Sequence, residues 1–192
     1  MDAMFTITYG EYIAADKLVS KIKNTSIFVP ASRQEKGIDL ILYKDDNGIN
    51  KNCTIQVKQS RTYNKSKEIT SDEKTIHTTG DLWFNTFKVP DNAEWFLFVG
   101  TRFIIPEKYK DAGIFDVESK PIILAFTNEE MKKFMSEVRK KTKPDEADNS
   151  FGFSYNNSGH IYQTRGFASN RNMDKYLLEK RIKDIEQFLN NK

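Results

Sequence analysis

The chain has 192 residues, of which 38% are hydrophobic and 30% charged, a composition typical of a folded protein rather than a disordered one. The single cysteine excludes an intramolecular disulfide and a cysteine-rich zinc site, and the formal net charge of +3 is too small to identify a polyanionic partner. No segment approaches the roughly 20 apolar residues of a membrane span. We therefore expect a cytoplasmic protein with no membrane partner, folded as a single domain over residues 1–192.

A first helix is predicted for residues 9–23 by apolar residues at helical spacing, and Glu11 falls on the same stripe. An acid on the inward side of a helix start has two explanations. It either belongs to a buried polar site or complements the helix dipole, which favours acids in the first turn. A short strand at residues 27–29 follows, and Pro30 ends it.

An antiparallel hairpin is predicted for residues 37–58, where two β-rich runs flank a polar connection that contains Asn47-Gly48. Period-two alternation gives the hairpin an apolar face, made of Ile38, Leu40, Leu42, Cys53, Ile55 and Val57. Asp39, Gln56 and Lys58 share the opposite face. This polar face is either an ordinary solvated sheet surface or a functional cluster on a rigid support.

A basic and polar segment follows the hairpin. Its cations Arg61, Lys65 and Lys67 are candidates for phosphate contacts, because they come directly after Lys58. A solvated loop would have the same composition, so both interpretations stay open.

Three further elements are predicted downstream. Residues 80–87 are expected to form a short helix, with Asp81 near its start and Pro90 beyond its end. Residues 94–99 are apolar on both faces, which is typical of a central strand buried between two layers. Residues 127–130 have the sequence of a capping box and predict another helix.

The composition shifts to Gly, Ser, Asn and aromatic residues over residues 145–172, which include Arg165 and Arg171. This segment is either an irregular hairpin or a loop that contacts DNA. Residues 173–192 contain apolar residues at helical spacing and predict a C-terminal helix.

Three short motifs follow one another within residues 9–60, namely Gly10-Glu11-x-x-Ala14, Gly37-Ile38-Asp39 and Gln56-Val57-Lys58. In order and spacing they resemble the motifs of the PD-(D/E)XK nuclease superfamily, near the archaeal Holliday junction resolvases, the Mrr-like enzymes and certain type II restriction endonucleases. The resemblance implies an α/β (α+β) protein of the restriction endonuclease-like fold, with a mixed β-sheet flanked by helices.

The resemblance also implies metal-assisted phosphodiester hydrolysis, with Mg²⁺ as cofactor and Mn²⁺ as its substitute. The implied metal ligands are Asp39, Gln56, the backbone carbonyl of Val57 and Glu11. Lys58 would complete the catalytic set by orienting water and stabilising developing negative charge. Gln56 stands where the family usually has an acid, so its carboxamide oxygen would coordinate a cation without adding charge. A purely structural ion pair between Asp39 and Lys58 is the alternative.

The leading prediction is therefore a Mg²⁺-dependent DNA endonuclease of either restriction or repair type. The alternative is a protein that binds nucleic acid on a nuclease fold without cutting it, because Gln56 is neutral and the net charge is small. Cutting both strands of a duplex needs two active sites, which favours a homodimer. The predicted DNA contacts are Arg61, Lys65, Lys67, Arg165 and Arg171.

Overall fold

The computed structural model describes residues 7–30, 36–85, 87–104, 118–138 and 150–192, which form a mixed α/β protein. Its helices are α1 (Tyr9–Lys21), α2 (Asn128–Ser136) and α3 (Leu178–Asn190), and a 3₁₀ turn (Asp174–Tyr176) precedes α3. The strands are β1 (Thr25–Phe28), β2 (Leu40–Asp46), β3 (Ile49–Gln59), β4 (Thr62–Tyr63), β5 (Lys67–Ser71), β6 (Lys74–Thr78), β7 (Gly80–Phe84), β8 (Trp95–Ile104), β9 (Glu118–Thr127), β10 (Phe151–Tyr155), β11 (Ile161–Arg165) and β12 (Arg171–Asn172).

The first sheet contains five strands in the order β1-β2-β3-β8-β9. β3 and β8 run parallel, and the other three neighbouring pairs run antiparallel, so the predicted mixed sheet is present. The predicted central strand is β8, in which Trp95 and Phe96 begin a run of buried residues that continues to Gly100. Both faces of this strand are buried because a layer packs on each side of the sheet.

The predicted hairpin is confirmed as β2 and β3, which pair from Leu40 opposite Ile55 to the turn. Asn47 and Gly48 form that turn, and both have positive φ, 54° and 85°. Cys53 is buried on the apolar face of the hairpin, and burial raises the pKa of its thiol, so this cysteine packs the core and is not a nucleophile.

A second sheet has the order β12-β11-β10-β7-β4, and β5 pairs with β6 in a separate hairpin. The helix predicted for residues 80–87 is wrong, since Gly80–Phe84 is strand β7. The side chains of β7 follow a period of two. Leu82 and Phe84 are buried against the first sheet, whereas Trp83 between them is exposed.

Each face of the first sheet has its own apolar core. Helices α1 and α3 cover one face, with Ala14, Leu18 and Ile185 among the buried residues. The second sheet and α2 cover the other face, where the buried aromatic residues include Phe84, Phe96, Phe98, Phe126, Phe134, Phe151 and Phe153. Helices therefore flank the first sheet, as expected, but a second sheet that the sequence analysis did not predict covers much of one face.

The remaining predicted elements have mixed outcomes. Of the segment 145–172, residues 145–149 lie outside the described residues, and strands β10 to β12 show that the hairpin interpretation is correct for the rest. The predicted C-terminal helix is confirmed as the 3₁₀ turn and α3. The predicted capping box is also confirmed, because Thr127 and Glu130 exchange side-chain-to-backbone hydrogen bonds at the start of α2. None of the described helices is long and apolar enough to cross a membrane.

The two sheets pack closely at Gly100 of β8. A Cβ atom on Gly100 would lie 2.7 Å from Cδ1 of Leu82 on β7, well inside van der Waals contact. The absence of a side chain at this position therefore allows the second sheet to approach the first.

We predict that Gly100→Ala lowers the free energy of unfolding by about 1–3 kcal/mol, because the added methyl group overpacks the interface. Leu82→Ala alone should cost about 2–5 kcal/mol through the cavity it leaves. The double variant should cost less than the sum of the two, since the new Cβ occupies part of that cavity. Urea unfolding of the unmodified protein, the two single variants and the double variant measures this coupling. Strictly additive costs would contradict the packing of Leu82 on Gly100.

Candidate active site

The carboxylate of Asp39 closes the end of the β2–β3 ladder. The backbone N–H of Asp39 donates to the carbonyl of Ile55 at 2.9 Å, next to the last ladder pair at Leu40. The N–H of Val57, two residues further along β3, donates to Oδ2 of Asp39 at 2.8 Å. A side chain thus replaces the missing strand, and the hydrogen bond fixes the position of the Asp39 carboxylate beside β3.

The backbone carbonyl of Val57 points to the same side of β3 as its N–H. In an antiparallel ladder the N–H and C=O of one residue face the same neighbouring strand, and for Ile55 and Val57 that strand is β2. Regular pairing of β2 ends at Leu40, so the Val57 carbonyl faces the edge at which the Asp39 carboxylate lies. Two of the predicted metal ligands therefore meet at one strand edge.

Gln56 carries a buried polar atom without a partner. Its side chain is only 6% exposed, and Oε1 has no hydrogen-bond partner among the described residues. A buried acceptor left unsatisfied costs about 1–3 kcal/mol, so an orphan of this kind requires an explanation. Gln56 is the residue next to Val57 and would be paired with Asp39 if the β2–β3 register continued by one step. Gln56 thus belongs to the same end of the ladder as the other two candidate ligands.

Lys58 lies two residues beyond Gln56 and hence on the same face of β3. The parallel pairing of Gln56 with Phe96 and of Lys58 with Phe98 places this face toward the second sheet. Lys58 is half-buried and lines an open cleft of about 370 Å³. The Lys58 side chain therefore lies on the same face of β3 as Gln56 and lines the cleft.

Gly37 redirects the chain into this site. Its φ of +101° lies in the region that side chains disfavour, and a Cβ atom would lie 2.6 Å from Oδ1 of Asn92 and 2.7 Å from Cβ of Pro90. The bend at Gly37 brings the chain in beside residues 90–92 before it starts β2. The positive φ and the close neighbours thus explain why a glycine stands at this position of the second motif.

Glu11 is buried at the start of α1, with 4% of its surface exposed. It forms a capping box with Thr8, because Oε2 accepts the backbone N–H of Thr8 at 2.9 Å and the Thr8 hydroxyl accepts the N–H of Glu11. The sequence analysis missed this box. The N–H of Gly10 donates to Oε1 of Gln59 at 3.0 Å, so the first turn of α1 lies against the end of β3. Glu11 therefore stabilises the helix start and also borders the strand that carries the candidate ligands.

Three of the predicted DNA contacts follow β3 directly. Arg61 is exposed and lines the same cleft as Lys58. Lys65 is exposed and lines a second cleft of about 330 Å³. Lys67 lines the second cleft too, but its ammonium group is paired with Asp81 at 2.8 Å. Arg61 and Lys65 are thus better placed than Lys67 to contact a phosphate.

The other two predicted DNA contacts separate in the structure. Arg165 lies over the indole of Trp83, with its guanidinium carbon 3.1 Å from the ring centroid. Arg171 lies on the edge strand β12 and is paired with Glu137 at 2.7 Å, while its Nε donates to Gln163. Arg165 therefore belongs to the surface around the clefts, and Arg171 is held in an ion pair at the far edge of the second sheet.

The sequence analysis missed the aromatic residues of the cleft. Tyr63 and Trp83 line it together with Lys58, Arg61 and Asn85. Because residues 80–87 were predicted to form a helix, the period-two alternation that places Trp83 on the outer face of a strand was not considered. An exposed tryptophan between two buried residues of a strand points outward by the period of two.

The donor set suits a hard cation. On the hairpin, Asp39 provides a carboxylate, Val57 a carbonyl and Gln56 the orphaned carboxamide oxygen, and oxygen donors are the ligands that Mg²⁺ prefers. Glu11 would have to reach them from α1, which packs on the other face of the first sheet. Among the described residues, no three His, Cys, Asp or Glu side chains are grouped so that they could hold a metal. The candidate ligands on the hairpin include a single carboxylate, so they are not a group of that kind.

Comparison of the chain with protein-family models, with curated proteins and with solved structures returns no match. Its function is therefore inferred from the residues of the site and their geometry.

We predict that Gln56→Met raises the free energy of unfolding in EDTA by about 1–2 kcal/mol, because it replaces an unsatisfied buried amide by an apolar group of similar volume. Gln59→Met is the matched control. It removes the acceptor of the Gly10 N–H and should lower the free energy of unfolding by about 1 kcal/mol. Urea unfolding of both variants measures the difference. Equal destabilisation by the two changes would show that the Gln56 amide is satisfied by the protein itself.

Proposed function

We propose that this chain is a metal-dependent endonuclease that hydrolyses phosphodiester bonds of DNA and has a restriction endonuclease-like fold. The observation that carries the proposal is the buried, unpaired Oε1 of Gln56 next to the strand edge where Asp39 binds Val57. An orphaned oxygen and a carboxylate at the same end of one ladder would be accounted for by a site that is completed by a cation. Lys58 follows on the same face, in the order of the third motif.

Asp39 would be the principal metal ligand, because it has the only negative charge of the three candidates on the hairpin. Gln56 and the carbonyl of Val57 would add neutral oxygen ligands, and Glu11 would supply a second charge from α1. A bound Mg²⁺ or Mn²⁺ would supply Lewis acidity, polarising a phosphoryl oxygen and lowering the pKa of water.

The side chains also have roles of their own. The hydrogen bond from the Val57 N–H holds the Asp39 carboxylate in place, so that no ordering is needed when the substrate binds. Lys58 presents a compact cation to the cleft, where it would orient the attacking water and stabilise the negative charge that develops on the phosphate. Its half-buried position strengthens that interaction relative to one in bulk water.

The second candidate function is nucleic-acid binding without cleavage. The neutral Gln56 favours it, because the site then has one negative charge fewer for holding a divalent cation. The two candidates share the cleft and its cations but differ in whether phosphodiester bonds are broken in the presence of metal.

We predict that the purified protein cuts plasmid DNA in Mg²⁺ or Mn²⁺ and that Asp39→Asn lowers the rate by about 10³-fold or more, because the main negatively charged ligand is lost. Lys58→Met should lower the rate by about 10²- to 10³-fold while leaving metal affinity nearly unchanged, because it removes stabilisation of developing charge only. Cleavage rates and calorimetric metal titrations measure the two effects separately.

Asp46→Asn is the control, because Asp46 is also on β2 but at the opposite end of the hairpin, beside the turn. It should alter neither the cleavage rate nor the metal affinity. Undiminished cleavage by the Asp39→Asn protein would contradict the proposed site. DNA binding without cleavage by the unmodified protein would favour the second candidate function.

A further inference from the structure

Trp83 is held beside the end of β3 by a direct hydrogen bond. Its backbone N–H donates to the hydroxyl of Ser60 at 2.6 Å, and Ser60 is buried and lies two residues after Lys58. The N–H of Ser60 donates in turn to the carbonyl of Val99 on β8. Trp83 is therefore fixed to the strand that carries Lys58, although it belongs to the second sheet.

The indole of Trp83 is part of an exposed aromatic pair. Trp83 is 39% exposed and Tyr63 on the adjacent strand is 48% exposed, and their ring centroids are 6.0 Å apart. Two adjacent exposed rings form a contiguous apolar patch, and such patches mark interaction sites.

Arg165 positions the indole from the other side. Its guanidinium lies over the Trp83 ring across strand β10, where Gly152 pairs with both residues. A Cβ atom on Gly152 would lie 3.2 Å from Cδ1 of Trp83 and 3.2 Å from Cβ of Arg165, so the glycine makes room for this stack. Nη1 of Arg165 is buried without a hydrogen-bond partner among the described residues, which leaves the cation available to the ring.

Cations border the aromatic pair on both sides. Tyr63 and Trp83 line both clefts, of which the first contains Lys58 and Arg61 and the second Lys65. The described residues that line the first cleft include no acid. The second cleft includes Asp81, but Lys67 neutralises it at 2.8 Å and Ser154 donates to it. The surface thus combines flat rings with positive charge.

We propose that this surface, defined by Arg61, Tyr63, Lys65, Trp83 and Arg165 and called the aromatic platform, binds unpaired nucleotides of the substrate. One base would stack on Trp83 and a neighbouring base on Tyr63, because the two rings are tilted by 56° to each other, while the flanking phosphates contact Arg61 and Lys65. The strand would then continue along the first cleft to Lys58. That the strand is DNA rests on the proposed function.

The chemistry favours an unpaired strand over a duplex. In a duplex both faces of each base are already stacked on neighbouring base pairs, whereas an unpaired base presents its face to an aromatic side chain. A surface for duplex phosphates alone needs cations but no exposed rings. The platform has both, so its substrate is DNA in which unpaired nucleotides adjoin the cleavage site.

The test is binding of fluorescein-labelled oligothymidylate in EDTA, so that metal-dependent hydrolysis plays no part. The unlabelled oligonucleotide should quench tryptophan fluorescence through Trp83, since the second tryptophan, Trp95, is buried. Trp83→Leu should weaken binding about 5- to 150-fold, the range expected for loss of one base stack. Trp83→Phe retains a ring and should bind within about 3-fold of the unmodified protein but without the quenching.

The role of the cations is tested with the double variant Arg61→Ala/Lys65→Ala. The control is the double variant Lys180→Ala/Lys183→Ala, which removes two exposed lysines of α3. The first pair should lower the slope of log affinity against log salt by about 1.4, which is two single-strand phosphate contacts, and the second pair should leave it unchanged. A blunt-ended duplex of equal length should bind at least about 10-fold more weakly than oligothymidylate.

Equal affinity for the duplex and the single strand, or full affinity in the Trp83→Leu protein, would overturn the proposal. A dimer in sedimentation that Trp83→Leu dissociates would also overturn it, by assigning the platform to a second copy of the chain. Plasmid cleavage without platform binding would overturn the platform proposal but not the proposed function. Platform binding without cleavage in Mg²⁺ would overturn the proposed function but not the platform proposal.

Discussion

The hydrogen bond from the Val57 N–H to Oδ2 of Asp39 is the contact on which the site depends. It forms because regular pairing of β2 ends at Leu40 while β3 continues to Gln59, which leaves a backbone donor that needs a partner. The Asp39 carboxylate satisfies that donor, and in doing so it comes to the edge that the Val57 carbonyl faces. A mismatch in strand length thereby holds a carboxylate beside a backbone carbonyl, two candidate oxygen ligands on a rigid support.

The connection between β3 and β8 determines what surrounds this cluster. Two parallel strands need a crossover, and here it is made of strands β4 to β7 rather than of a helix. The crossover gives the first sheet a second sheet as its neighbour, packed through Leu82 on Gly100. It also places Tyr63 and Trp83 beside Lys58, so the element that completes the core also forms the wall of the cleft.

The hairpin and the inward position of Glu11 could be predicted because both depend on local patterns, the period of two with an Asn47-Gly48 turn and the helical stripe. Residues 80–87 were misassigned because Asp81 and Pro90 look like the two ends of a helix. Strand β7 is decided instead by its pairing with β10, about 70 residues later in the chain. The pairing of Arg171 with Glu137 also joins residues far apart in the chain. The sequence therefore could not show that the Arg171 guanidinium is held in an ion pair. The unpaired oxygen of Gln56 has no sequence signal, because burial and partners emerge only in the folded protein.

The most direct test of the proposed metal site is a crystal structure of the protein soaked in Mn²⁺, with the ion located by its anomalous scattering. The proposed function predicts an ion within coordination distance of the Asp39 carboxylate and of Oε1 of Gln56, roughly 2.0–2.3 Å for a small divalent cation bound by oxygen. No ion at Asp39 under saturating Mn²⁺, together with a protein donor hydrogen-bonded to Oε1 of Gln56, would contradict it.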